Sequence, residues 1–262
     1  MKTVTQHLPA DAHCVNNDDE IRIYDHLTYR YCVFGAADWI QSKHNRDNPA
    51  SLSLEYQAPL LRPLNMLPSV QRVLLIGLGG GTVVHYLQRF YPNVVIDVIE
   101  LSSKMITLAS TFFDIHPSEF CRIRCEDGID YLAHTTAGYD IVILDVATQD
   151  GFVEKFGTVA CVNNCLNALN ETGALTINYC GNEPLGLLQT IRECFDQQTI
   201  AYPIKGYANT VISGFKGLRV VDALKHAQLA EGEAKGRGSA EPEMLIDMDR
   251  LSFDTEYGFV VR

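Results

Sequence analysis

No run of eighteen consecutive apolar residues occurs anywhere in the 262-residue chain, so no membrane-spanning helix is expected. Met1 to Asn17 holds a single Lys and no apolar stretch of signal-peptide length, and the protein is expected in the cytoplasm, unanchored. Basic residues are scarce. The 21 Lys and Arg stand against 32 Asp and Glu, and the resulting formal charge of -11 argues against a nucleic-acid partner while permitting a cationic substrate. The eight cysteines include no Cys-x-x-Cys pair. Cys121 and Cys125 fall on one face of an expected strand, and Cys161 and Cys165 fall one turn apart on an expected helix. They read as small buried hydrophobes, so neither a metal nor a disulfide is expected. With 47% apolar and 20% charged residues, the chain has the make-up of an ordinary globular protein with one large domain or one and a half.

What the chain does have is Val73-Leu74-Leu75-Ile76-Gly77-Leu78-Gly79-Gly80-Gly81-Thr82, an apolar run that stops in a glycine turn and resumes as a helix-like Val83 to Phe90. Glycines at 77, 79 and 81 let the backbone turn sharply and let a ligand lie against it, because no Cβ intervenes. About twenty residues on, Val94 to Glu100 is a second apolar strand with a carboxylate at its carboxyl end, where it can accept two hydrogen bonds from a ribose. A nucleoside site is expected there. A dinucleotide fingerprint wants Gly or Ala where Thr82 stands, and no Gly-Lys-Ser/Thr follows as a phosphate loop requires. The glycine spacing therefore points to S-adenosylmethionine (AdoMet).

Residues 1–19 are polar and aperiodic and are expected to form a loose arm. Short strands follow at Ile21 to Tyr24, Tyr29 to Phe34 and Trp39 to Gln41, giving a small antiparallel β domain over 20–68 that ends in a Leu-rich helical segment, Leu54 to Leu67, broken by prolines. From Val73 strand and helix alternate. Helices are expected at Ser103 to Phe113, Gly128 to His134, Val153 to Leu169 and Leu185 to Gln197. Strands are expected at Cys121 to Cys125, Tyr139 to Leu144, Ala174 to Asn178 (with Gly173 as the preceding turn), Thr199 to Ile204 and Asn209 to Phe215. Parallel strands need crossovers, so 69–221 reads as an α/β, doubly wound Rossmann-like sheet of seven strands whose last pair is antiparallel. Residues 222–262 read as a final helix, a charged linker from Glu231 to Glu243, and a tail without an assigned place.

Ligands of such sheets lie beyond the carboxyl ends of the strands, where the acids are Glu100, Asp127 and Asp145. Glu100 would hold the ribose. Asp127 is placed to accept from an adenine amino group, with Gly128 opening the next helix, and reads equally well as a helix cap. Asp145 would lie near the sulfonium and an incoming nucleophile. Taken with Trp39-Ile40-Gln41-Ser42, Leu54-Glu55-Tyr56-Gln57, the Tyr139 to Asp145 strand and Asn209-Thr210-Val211, the chain resembles the polyamine aminopropyltransferase family, spermidine synthases and spermidine-synthase-like proteins, over Ile21 to Gly217. The resemblance implies an AdoMet-methyltransferase-like sheet with a small amino-terminal β domain, a homodimer, and transfer of an aminopropyl group from decarboxylated AdoMet to an amine in polyamine biosynthesis. It also implies that Gln41 contacts the nucleoside, that Tyr56 and Gln57 line the cleft, and that Asp145 orients or deprotonates the attacking amine.

Two family acids are absent. Gly80 stands where the family carries an Asp beside the aminopropyl ammonium, and Thr148 replaces a second acid, with Asp150 two residues on as a partial substitute. An altered acceptor, smaller or less charged than a diamine, is the first expectation. A methyltransferase using AdoMet itself is the second, since Gly80 presents no like charge to the methionine carboxylate. A non-catalytic nucleoside-binding protein is the third. No metal is expected in any of them.

Overall fold

The computed structural model describes residues 7–35, 40–136, 138–148, 151–181, 183–236, 251–254 and 258–261. Trp39, Asp150 and most of the expected linker and tail lie outside them. The chain opens with strands β1 (His13–Asn16), β2 (Ile21–His26), β3 (Tyr29–Phe34) and β4 (Ile40–Asn45), an antiparallel sheet in that order. The expected loose arm is thus partly ordered: Cys14 pairs with Tyr24 across the β1–β2 ladder, which supplies backbone partners that its aperiodic sequence does not announce.

Short helices α1 (Gln57–Leu61) and α2 (Pro63–Met66) bring the chain to β5 (Arg72–Ile76), α3 (Thr82–Phe90), β6 (Val95–Glu100), α4 (Ser103–Phe112), β7 (Cys121–Cys125), α5 (Gly128–His134) and β8 (Tyr139–Leu144). A two-residue hairpin, β9 (Ala147–Thr148) and β10 (Gly151–Phe152), then leads to a 3-10 turn at Glu154–Gly157, α6 (Val159–Ala168), β11 (Leu169–Cys180), α7 (Leu185–Cys194), β12 (Thr199–Pro203), β13 (Asn209–Lys216) and α8 (Val220–Gly236). The sheet order is β12-β13-β11-β8-β5-β6-β7, parallel from β11 to β7 and antiparallel where β13 meets β11 and β12. This is the expected seven-strand sheet with its antiparallel final pair. A hairpin of β14 (Leu251–Asp254) and β15 (Gly258–Val261) extends it at the β12 edge to nine strands.

The parallel strands read as unbroken apolar runs because both of their faces are covered. On β5 and β8, Val73, Leu75, Ile141 and Ile143 point into one core with the small sheet, α1 to α4 and α8. Leu74, Ile76, Val142 and Leu144 point into the other with α5, α6 and α7. Each such side chain contributes roughly 1.5–3 kcal/mol by leaving water.

Three expectations are corrected. The single helix from Val153 to Leu169 is a 3-10 turn and a separate helix, because the Thr158 hydroxyl accepts from the Cys161 N–H and caps α6 there. Gly173 is not a turn. It lies within β11, opposite Lys216 of β13, and the register against β8 shifts between Leu169 and Ala174; a Cβ at 173 would stand 2.9 Å from the Asp140 carbonyl. The helix expected to end before a linker at Glu231 continues to Gly236. All eight cysteine sulfurs are free thiols in the structure; Cys121 is buried in the core, whereas Cys125, at the end of the edge strand β7, is exposed. Among the described residues no helix is long and apolar enough to cross a membrane.

The small sheet packs on α3 and Phe113 through His44 of β4. It is only 4% exposed, lies 5.2 Å from the His85 ring and 5.6 Å from Phe113 between ring centres, and its Nδ1 is buried without a hydrogen-bond partner. Burial first, then the neighbouring His85 and Arg30 charges, push its pKa down to about 4, against the opposing pull of Asp114. His44 is therefore neutral when folded and gains a proton readily only on unfolding. Its contribution to stability is complete above pH 6.5, the ordinary imidazole value, and is lost as pH falls toward 4, about 3 kcal/mol in all. Denaturant titrations at pH 7 and pH 4.5 should show a clearly smaller loss for His44→Phe than for the wild type; parallel losses would take His44 out of the acid response.

Candidate functional site

The carboxyl ends of β5, β6, β8 and β11 open into a cleft of about 1270 Å³ whose far wall is formed by β4 and the segment before α1. Gly77, Gly79, Gly81, Gln41, Glu100, Asp127, Gly128, Tyr56, Gln57, Asp145 and Thr148 all line it. The fold thus gathers the described candidate residues into one cavity, from positions more than a hundred residues apart, because strand ends in a parallel sheet lie side by side.

The glycine turn is built as its residues require. Gly77 has φ +94°, and a Cβ there would stand 2.3 Å from the Asp145 carbonyl oxygen. Gly81 has φ +71°, precedes α3 as its N-cap residue, and with a Cβ would meet Ile115 at 2.3 Å. Glu100 closes the turn from below: one carboxylate oxygen accepts from Leu78 N–H and the other from Ser102 N–H, both at 2.9 Å. Each oxygen keeps acceptor capacity toward the cleft. Asp127 is exposed and caps α5, accepting from Ile129 N–H at 2.7 Å, so the cap reading of this residue is the one realised among protein contacts.

Gly80 is packed shut. Its N–H donates to Ser42 Oγ at 2.8 Å, and an added Cβ would lie 2.9 Å from Ser42 Cβ and 3.2 Å from the Phe113 ring. Any side chain here would require Ser42, and β4 with it, to move. On the opposite side, Thr148 sits exposed on the small β9–β10 hairpin.

Asp145 follows β8 and is held at both oxygens. The Tyr56 hydroxyl donates to one at 3.2 Å and the Asn178 amide to the other at 2.9 Å; Asn209 in turn donates to the Asn178 carbonyl at 2.9 Å. Burial raises the Asp145 pKa, and the bonds from Asn178 and Tyr56 partly oppose it. Burial and then the Asp145 charge push the Tyr56 phenol well above its ordinary range, so it remains a donor. Gln57 is buried, and its carbonyl accepts from Ser53 and Leu54 N–H, so it anchors the loop that aims Tyr56. Sequence reading missed Asn178 and Asn209. Asn178 stands at a strand end just as the acids do and was findable by that rule; Asn209 reaches it only through the β11–β13 pairing.

A doubly wound sheet in this strand order, with a glycine turn and a strand-end carboxylate facing one cleft, defines the AdoMet-methyltransferase-like fold. The spermine/spermidine synthase domain model matches residues 61–229, and the chain belongs to that family. It is similar to the polyamine aminopropyltransferase of Chromobacterium violaceum, 23% identical over 200 residues that cover 75% of this chain and 76% of the relative. In fold it is similar to spermidine synthase from Thermotoga maritima (TM-score 0.60, 17% identity, covering 80% of this chain and 74% of that one). It is likewise similar to human methyltransferase-like protein 13 in complex with SAH (TM-score 0.62, 19% identity, 70% and 93%).

The Asn178 bond favours the charged form of Asp145, so its removal should raise the Asp145 pKa further. A carbon-detected NMR titration of the carboxyl groups should place the Asp145 midpoint at higher pH in Asn178→Leu than in the wild type; an unmoved midpoint would dismiss Asn178 as its partner.

Proposed function

We propose that the protein is a spermidine-synthase-like transferase that passes an aminopropyl group from decarboxylated AdoMet to a small-molecule amine, with an acceptor side unlike that of true spermidine synthases. The observation that carries this is Asp145, clamped by Tyr56 and Asn178 at the end of β8 with the glycine turn against its backbone. In this reading the nucleoside lies over Gly77 to Gly81, its ribose hydroxyls on Glu100, its adenine near Asp127 and Gly128, with Gln41 above. The amine nitrogen, stripped of one proton by Asp145, attacks the carbon next to the sulfonium in line. The new C–N bond forms as the C–S bond breaks, its electron pair stays on sulfur, and a neutral thioether nucleoside leaves. Tyr56 and Gln57 shape the approach, and Thr148 lines the cleft on the β9–β10 hairpin; the expected part of Asp150 falls outside the described residues. No step uses a metal. Seven carboxylates against Lys155 as the one basic side chain among the described lining residues suit a cationic acceptor. A small β domain over 20–68, a Rossmann-like domain over 69–221, a cytoplasmic homodimer and no nucleic-acid or membrane partner complete the proposal.

A second reading, methyl transfer from AdoMet itself, is favoured by one observation. Gly80 puts no negative charge where the methionine carboxylate would lie, and Ser42 with Phe113 excludes one.

Glu100→Ala removes two charge-assisted bonds to the ribose, roughly 1.5–3 kcal/mol each before water compensates. Calorimetry should show nucleoside affinity down by about tenfold or more, and undiminished affinity would move the ribose elsewhere.

The function is tested by supplying decarboxylated AdoMet or AdoMet with an amine panel and identifying the product by mass. Expected is an aminopropylated amine, with Asp145→Asn lowering turnover by about a hundredfold while nucleoside binding stays nearly intact. Because burial raises the Asp145 pKa and the base must be ionised, wild-type activity should decline on the acid side at a pH above the ordinary carboxylate range, a limb that the Asn variant lacks. A methylated product would establish the second reading; full activity of Asp145→Asn would remove Asp145 from the chemistry.

A further inference from the structure

Helices α4, α5 and α6 each begin under a side chain that caps them, Ser102, Asp127 and Thr158. Helix α3 begins differently: Gly81 precedes it with no side chain to offer, and no acid stands in its first turn. Its first N–H groups have no acceptor within the helix, and they carry the positive end of the helix dipole. They adjoin the cleft, since Gly79 to Val83 all line it.

Two buried hydroxyls meet at that corner. Thr82 is 4% exposed and Ser42 7%, and both line the cleft. The Thr82 hydroxyl makes no hydrogen bond among the described residues. Ser42 Oγ accepts from Gly80 N–H at 2.8 Å, which leaves its own proton without an acceptor among them. A buried hydroxyl left unpaired costs free energy, so two of them beside one helix start point to a ligand group that accepts. Gly80 and Thr82 are two residues apart, at most about 7 Å along the backbone, a span that one carboxylate covers with a hydrogen bond at each oxygen.

We propose that this corner binds the carboxylate at the amino-acid end of intact AdoMet, with the Thr82 and Ser42 hydroxyls and the first N–H groups of α3 as donors. The inference rests on the nucleoside placement over Gly77 to Gly81 and deepens the second reading above; under the first, it makes AdoMet a competitor of the decarboxylated donor. The sign of the charge decides between the two tails. A carboxylate is favoured at a helix N-terminus, whereas a tail that ends in an ammonium alone meets the positive end of the dipole and finds no acid at Gly80. The ammonium that AdoMet carries on the same carbon is balanced by the acids that line the rest of the cleft.

The test is calorimetry on the full chain with three nucleosides: S-adenosylhomocysteine, its decarboxylated analogue, which lacks only the carboxylate, and methylthioadenosine, which lacks the whole amino-acid tail. The variants are Thr82→Val, which keeps the shape and removes the hydroxyl, and Thr82→Ser, which keeps the hydroxyl. Expected is wild-type binding of S-adenosylhomocysteine about tenfold or more tighter than that of its decarboxylated analogue, the range of one hydrogen bond to a charged group. Thr82→Val should lose most of that preference with methylthioadenosine affinity unchanged, and Thr82→Ser should retain it. Equal or tighter binding of the decarboxylated analogue, a preference that Thr82→Val leaves unchanged, or a loss shared equally by all three nucleosides would overturn the carboxylate subsite and leave the nucleoside placement intact. No binding of methylthioadenosine beside a preserved carboxylate preference would instead overturn that placement and leave the subsite standing; no binding of any of the three would overturn both.

Discussion

The contact on which the site depends is between two pieces of backbone. The Asp145 N–H donates to the Ile76 carbonyl at 3.0 Å, and the Asp145 carbonyl comes so close to Gly77 that no Cβ fits between them. Gly77 N–H in turn donates to the Ile99 carbonyl at 2.9 Å, which ties the same turn to β6. Three parallel strands therefore end at one point. A residue other than glycine at 77 would be strained in φ and would also push β8 away from β5, separating the acid from the turn that faces it.

Around that point the charged groups are arranged by burial more than by pairing. Asp145 is met by two neutral donors, a phenol and an amide, and by no cation among its hydrogen-bond partners in the described residues. Neutral donors only partly oppose burial, so its pKa stays raised, whereas an arginine in their place would stabilise the charged form further. The contrast within the same protein is Asp25, where the Arg30 guanidinium holds the carboxyl below its ordinary range and the role is to join strands.

The glycine turn and the small sheet are matched to each other. Ser42, Phe113 and Gly80 occupy one volume, and His44 lies next to it with His85 and Phe113. A larger residue at 80 would be paid for by displacing β4. The small residue at 80 and the close seating of the β4 strand are thus one structural fact.

The linear pattern of residues determined the sheet, its alternating helices, the glycine turn and the acids at strand ends, because each is a local matter of period, backbone freedom or position relative to a strand terminus. Glu100 and Asp145 were legible for that reason. Asp127 was legible as a helix cap and as a ligand group alike, and only the Ile129 N–H at 2.7 Å shows which protein contact it makes. Gly173 misled, since a glycine between a helix and an apolar run reads as a turn, whereas the β8–β11 register places it in a strand. The pairing of Tyr56 with Asp145, of Asn209 with Asn178 and of Tyr207 with Glu55 was decided by tertiary structure alone. Those partners lie 89, 31 and 152 residues apart, and no period or spacing encodes a contact that exists only once strands have taken their order and loops have crossed the cleft.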